Sequence, residues 1–147
     1  MAKSDVTKWN DAAVFDAALK KVQGNMQEAV TFCANKTREK LKRRNTPRKR
    51  VGRSGMRGLN PSAEGESPKV VTGTLRANVG TQVVTTNTKV IGRYGIKQGA
   101  ADKYGRRLEL GMVGKDSLGR MVNQGERPYL RPVVPENEAE IVKRVTK

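Results

Sequence analysis

Between Phe15 and Leu41 the apolar positions return every three or four residues: Phe15, Leu19, Val22, Met26, Ala29 or Val30, Cys33, Thr37 and Leu41. That period is one face of a helix, and it predicts an amphipathic helix from Asn10 to about Lys42 with the whole stripe buried. Asp11 and Asp16 near its start and "KLKRR" near its end suit the helix dipole. Gly24 weakens the helix by roughly 1 kcal/mol relative to alanine and marks a place for a bend. Trp9, just ahead, reads as an N-terminal staple, and Asn45-Thr46-Pro47 as the stop signal.

The periodicity then lapses. Residues 45–69 are rich in Arg, Lys, Gly, Ser and Pro and read as a long flexible loop, a feature that compact domains keep for function or leave disordered. Pattern resumes with Thr72, read as the cap of a helical turn over 73–78 that turns Leu75 inward. "VGTQVVTTNTKVIGRYGI" predicts a β-hairpin carried by Val79, Val83, Val90, Ile91, Tyr94 and Ile96, with Asn87 where the chain reverses. "AADKYGRRLELG" predicts a short helix ended by Gly111, with Tyr104, Leu108 and Leu110 against the sheet and Glu109 pointing elsewhere. "MVGKDSLGRMVNQGE" is a glycine-punctuated loop or a second, weaker hairpin. Pro128, Pro132 and Pro135 lead into a final helix over 136–145, acids first and bases last. There is no internal repeat.

These elements predict an α+β fold: a long N-terminal helix and a C-terminal helix packed on a small, mainly antiparallel sheet. The 147 residues form one domain, with an N-terminal helix region (1–44), the basic loop (45–69) and an α+β core with its closing helix (70–147). Aromatic residues are only 4% of the chain, so the core is aliphatic. Changing Val22 or Met26 to Asp is expected to unfold it, by burying an unpaired charge.

Composition narrows the chemistry. One cysteine, Cys33, excludes an internal disulfide framework, and on the apolar helix face it reads as a buried structural thiol. "MAKSDVTKWN" has no apolar run of a signal peptide, and no stretch is apolar for long enough to cross a bilayer. The absence of histidine removes Ser-His-Asp and Cys-His catalysis and most zinc sites. "GMVGKDS" lacks the spacing of a phosphate-wrapping loop. Glu136, Glu138 and Glu140 read as acids favoured at a helix N-terminus rather than as a cation site. The expectation is a protein that is not an enzyme and holds no cofactor.

Charge adds the positive signal. The net charge is +16 with a pI near 10.5. Residues 36–58 hold eleven Lys and Arg against one acid, Glu39. Lys42, Arg43, Arg44, Arg48, Lys49, Arg50, Arg53 and Arg57 are the candidate basic surface, able to neutralise phosphates without reading bases or to meet an acidic protein. The bland reading is a solvated helix end and loop. No helix-turn-helix, zinc-finger or aromatic stacking pattern accompanies the charge, so sequence-specific recognition is not expected.

Three short motifs follow in order: "PKVVTGTLR" (68–76), "YGRRLELG" (104–111) and "RPYLRP" (127–132). With a long helix before them and a closing helix after, they resemble the tail-completion and head–tail joining (neck) proteins of long-tailed bacteriophages of the HK97 type. The resembling positions are Pro68, Thr72, Gly73, Leu75, Arg76, Tyr104, Glu109, Gly111, Arg127, Pro128, Tyr129, Leu130 and Pro132. Gly105 stands where that family more often has alanine, and Leu110 where an aromatic is common. Fold maintenance suffices to explain Gly73, Leu75, Pro128 and Leu130, and Glu109 is expected to pair with Arg76 or Arg127.

The resemblance implies a virion structural protein at the neck, assembled in the bacterial cytoplasm. It implies a ring of identical subunits, six to match a tail tube. It also implies contact with the tail terminator, the head-completion protein or both, and double-stranded genomic DNA passing non-specifically through the lumen, with no membrane involved. Two other readings use the same charge: a free, non-specific nucleic-acid-binding protein, and an assembly chaperone that leaves the particle.

Overall fold

The computed structural model describes residues 11–42, 62–69, 73–86, 89–115 and 118–147. The predicted α+β architecture is present. In chain order it runs α1 (Asp11–Lys40), α2 (Thr74–Ala77), β1 (Val79–Thr85), β2 (Val90–Ile96), α3 (Ala100–Leu110), β3 (Met112–Lys115), β4 (Met121–Gln124), α4 (Val133–Glu136) and α5 (Glu138–Val145). The strands form two antiparallel hairpins, β1–β2 and β3–β4.

Helix α1 is the spine. Its Ala29, Val30, Cys33, Ala34, Thr37 and Leu41 positions are buried, and β1, β2, α4 and α5 all lie against it. Thr37 sits fully buried because its hydroxyl donates back to the Cys33 carbonyl at 3.0 Å. In the β1–β2 hairpin Val79 faces Ile96 and Val84 faces Ile91. Gly92 lets β2 approach the spine closely, since a Cβ there would collide with Val30 and Met26. Side-chain bonds fix the docking at both ends. Gln23 donates to the Thr85 hydroxyl at 2.8 Å, and Arg38 to the Val79 carbonyl at 2.7 Å.

The main core lies at the C-terminal end of α1, where Ala34, Leu41, Leu75, Val79, Leu108 and Tyr129 meet, with Ile96 and Leu130 packed against them. Burying an aliphatic side chain of this kind contributes roughly 1.5–3 kcal/mol. The N-terminal half of the expected stripe is not core: Phe15 and Val22 are exposed, as is neighbouring Val14, and Leu19 and Met26 are half-buried. The reason is length. Among the described residues, the β1–β2 hairpin bonds α1 at Gln23 and α5 bonds it at Asn25, which donates to the Val145 carbonyl at 3.2 Å, and the first three turns of α1 extend beyond these contacts.

Two further expectations are corrected. The final helix begins three residues early, as α4, because prolines fit a first helical turn that has no use for their missing N–H. It then breaks at Asn137, whose side chain donates to the Val133 carbonyl at 2.8 Å. Helix α2 is capped by Gly73 at φ 78°, one residue after the expected Thr72 cap. Thr72 itself, like Trp9, Asn87 and Asn45-Thr46-Pro47, lies outside the described residues. Helix α5 takes its place on α1: Arg144 stacks 4.5 Å over the Phe32 ring and pairs with Glu140 at 2.8 Å.

Candidate functional site

The three motifs converge at the C-terminal end of the spine, around one carboxylate. Ala101, Gly105, Leu108 and Glu109 form the buried side of α3, whereas Tyr104 and Leu110 are 52% and 54% exposed. Leu108 is inward as expected, whereas Tyr104, Leu110 and Glu109 have the opposite orientation to the expected one. The small residues at 101 and 105 lie two turns and one turn before Leu108, respectively, and let that face sit flat on the core. Glu109 can be buried because backbone amides surround it. Tyr129 N–H and Leu130 N–H donate to its Oε2 at 2.8 and 3.0 Å, and Arg131 N–H donates to Oε1 at 2.8 Å. Its cation partner is Arg131, with Nε 3.3 Å from Oε1, and not Arg76 or Arg127. Arg131 also reaches the Glu109 carbonyl at 2.8 Å and the Glu126 carboxylate at 2.6 Å. Glu126 first, and Glu109 after it, hold the Arg131 guanidinium more firmly protonated than usual.

The first motif enters through Leu75, 9% exposed, and Pro68, which is buried. Gly105, where the resembling family more often has alanine, is explained by the third motif. A Cβ there would lie 2.6 Å from the Tyr129 hydroxyl and 3.0 Å from Leu75 Cδ1. Gly111 ends α3 at φ 71°, a conformation glycine favours, and a Cβ would press on the Gln124 carbonyl at 2.8 Å. Arg76 is exposed, and Pro128, Leu130 and Pro132 are half-buried. Burial raises the pKa of both Tyr129 and Tyr94, the latter to about 12, and Tyr94 donates to the Leu130 carbonyl at 2.9 Å. These are packing roles.

Of the basic surface, Lys42 is exposed just beyond α1, its N–H bonded to the Glu39 carbonyl at 3.1 Å. Arg43, Arg44, Arg48, Lys49, Arg50, Arg53 and Arg57 lie outside the described residues. Their stems are well placed. Leu41 is 1% exposed on one side and Ser62 5% exposed on the other. Residues 62–69, expected within the flexible loop, are anchored to the third motif. Arg127 Nε donates to the Ser62 carbonyl at 3.0 Å, Ser67 to the Pro128 carbonyl at 3.2 Å, and Gly65 N–H to the Glu126 carbonyl at 2.9 Å. Arg127 thus serves the loop stem, and its own N–H donates to the Leu108 carbonyl at 2.6 Å.

A second basic feature went unread in the sequence. Lys103, Arg106 and Arg107 share a side of α3 and line a shallow groove of about 310 Å³ with Leu110, Gly111 and Met112. Their i, i+3, i+4 spacing was the available signal. Burial raises the pKa of the Cys33 thiol, which disfavours a reactive thiolate. Among the described residues no group of His, Cys, Asp and Glu is placed to hold a metal ion, and no helix is long and apolar enough to cross a membrane.

Comparison with protein-family models, with curated proteins and with solved structures returns no match.

Proposed function

We propose that this chain is a virion structural protein of a long-tailed phage, acting in tail completion at the head–tail junction as a homomeric ring around the DNA channel. It is not an enzyme on this reading, and its partners are other copies of itself, the neighbouring neck proteins and double-stranded DNA. The observation that carries the reading is the ordered set of three motifs, supported by their meeting in space: Leu75 from the first, Gly105 and Glu109 from the second and Tyr129 to Arg131 from the third pack on one another.

A non-specific nucleic-acid-binding role is the second reading. Residues 43–61 hold seven bases and no acid, and α3 adds the basic groove of Lys103, Arg106 and Arg107. Mass-spectrometric counting of this chain in purified virions and in tailless heads separates the two. A small fixed copy number in complete particles is expected. Absence from all particles overturns the structural reading and leaves nucleic-acid binding, or a chaperone role.

A further inference from the structure

Helix α3 carries its charge on the side away from the core. Each residue turns the helix by roughly 100°, which sets Ala101, Gly105, Leu108 and Glu109 on the packed side and Lys103, Arg106, Arg107 and Leu110 on the opposite one. All four outward residues are exposed. The three bases line their groove with Leu110, Gly111 and Met112, and no acid lines it. Of the acids around it, Glu109 is buried under the amides of Tyr129, Leu130 and Arg131. Glu126, whose backbone lies close to Gly111, gives its carboxylate to Arg131, and Glu64 rests against Gly125. Asp102 is exposed one turn before Arg106, so the exposed surface of α3 holds three bases against one acid.

These bases have no counter-charge on their own subunit. The ion pairs among the described residues use Lys36, Lys40, Arg131, Arg144 and Lys147, and none uses Lys103, Arg106 or Arg107. The helix does not account for them either. Lys103 lies in the first turn, where the dipole disfavours a cation. Like charges at i, i+3 and i+4 also repel one another along a helix. A face that weakens its own helix, and that nothing within the subunit neutralises, is complementary to an external polyanion.

We propose that the outward face of α3 binds the phosphate backbone of double-stranded DNA. The inference deepens the reading of DNA as a partner and rests on it. Geometry favours a duplex over an acidic protein. Arg106 and Arg107 diverge by about 100° around the axis, with Lys103 and Leu110 between them. Their charge therefore spreads across the width of a helix, about 10–12 Å, which matches a major groove about 12 Å wide. The two arginines meet phosphates of the two strands that border it. The groove on α3 is shallow and encloses no pocket for an apolar anchor, the feature on which protein interfaces concentrate affinity. Bases on long stems need no such pocket to neutralise phosphates. No aromatic ring lines the groove, so the contact is with the backbone and not with stacked bases. The second run of bases, seven without an acid over 43–61, also suits a polymer of repeating charge better than a single acidic patch.

The test uses the full chain and a short fluorescein-labelled duplex of mixed sequence, with anisotropy read across a salt series. The triple variant Lys103→Gln, Arg106→Gln, Arg107→Gln is expected to lower the slope of log affinity against log salt by about 3, or roughly 0.9 per lost contact. The charge-keeping triple Lys103→Arg, Arg106→Lys, Arg107→Lys is expected to retain the wild-type slope. Circular dichroism verifies that both fold. Acetylation of the wild-type chain by a succinimidyl ester, mapped by mass spectrometry, reads the same contact without any variant. DNA is expected to shield Lys103 several-fold and to leave Lys20 and Lys21, exposed in the N-terminal half of α1, as reactive as before. An unchanged slope in the folded glutamine variant, or a Lys103 that reacts equally with and without DNA, overturns this surface and leaves DNA to the basic run. A wild type that does not bind the duplex at low salt overturns the DNA partner itself, while the copy count in particles still decides the virion reading separately. Binding to poly-glutamate as tight as to the duplex, and lost in the glutamine variant, overturns the proposal in favour of an acidic protein.

Discussion

At the scale of single residues, Glu109 organises the motif cluster. Replacing it with alanine leaves three backbone amides without their acceptor, and a stability loss on the order of 3 kcal/mol is expected in urea titrations. Glu109→Gln keeps an acceptor oxygen and is expected to lose less. Gly105 gives a sharper test. Gly105→Ala presses a methyl on the Tyr129 hydroxyl and is expected to cost about 1–3 kcal/mol as overpacking. Among the described residues the buried Tyr129 hydroxyl has no hydrogen-bond partner, so Tyr129→Phe is expected to be neutral or stabilising and to relieve the alanine in a double-mutant cycle. Additive effects would show that the two positions do not touch. Tyr94 makes stability depend on pH in a defined window. Unfolded, a tyrosine ionises near pH 10, while Tyr94 in the fold keeps its proton to about 12. Between those values the unfolded state binds fewer protons, so the contribution is complete below pH 10 and is lost as pH rises towards 12. Tyr94→Phe is expected to flatten that part of the pH–stability curve.

At the scale of elements, α1 has two characters. Val30 is 6% exposed and Val22 is 42% exposed. Val30→Asp is expected to abolish folding, because it buries an unpaired charge. Val22→Asp is expected to leave monomer stability within about 0.5 kcal/mol, as surface changes do, contrary to what the apolar stripe alone implies. Chemical denaturation of both variants checks the contrast. The case shows what the sequence can and cannot carry. Local pattern located α1, the β1–β2 hairpin and α3, and offered the second hairpin only beside a loop. It did not show where α1 stops being covered, since that depends on how far a hairpin and α5 reach along it. The orientation of α3 was also hidden. Its core side is built of Ala101 and Gly105, which register weakly as apolar, while Tyr104 and Leu110 register strongly and face outward. Glu109 was misread for the same cause: its acceptors' partners are backbone amides 20 residues away, and amides leave no mark on a residue pattern.

At the scale of the whole molecule, charge is the property that any partner meets first. If residues 43–57 touch phosphates, replacing Arg48, Lys49 and Arg50 with glutamine is expected to reduce the slope of log affinity against log salt by about 3, or roughly 0.9 per lost contact. An unchanged slope on double-stranded DNA would place the basic run against protein instead.

Those stems set a leash. Nineteen residues separate Lys42 from Ser62, a contour of about 65 Å when fully drawn out. Tied at both ends, the run cannot carry its middle farther than about 33 Å from both stems at once. A polyanion that this run serves must pass within that radius, so locating the stem in an assembled particle would locate the track.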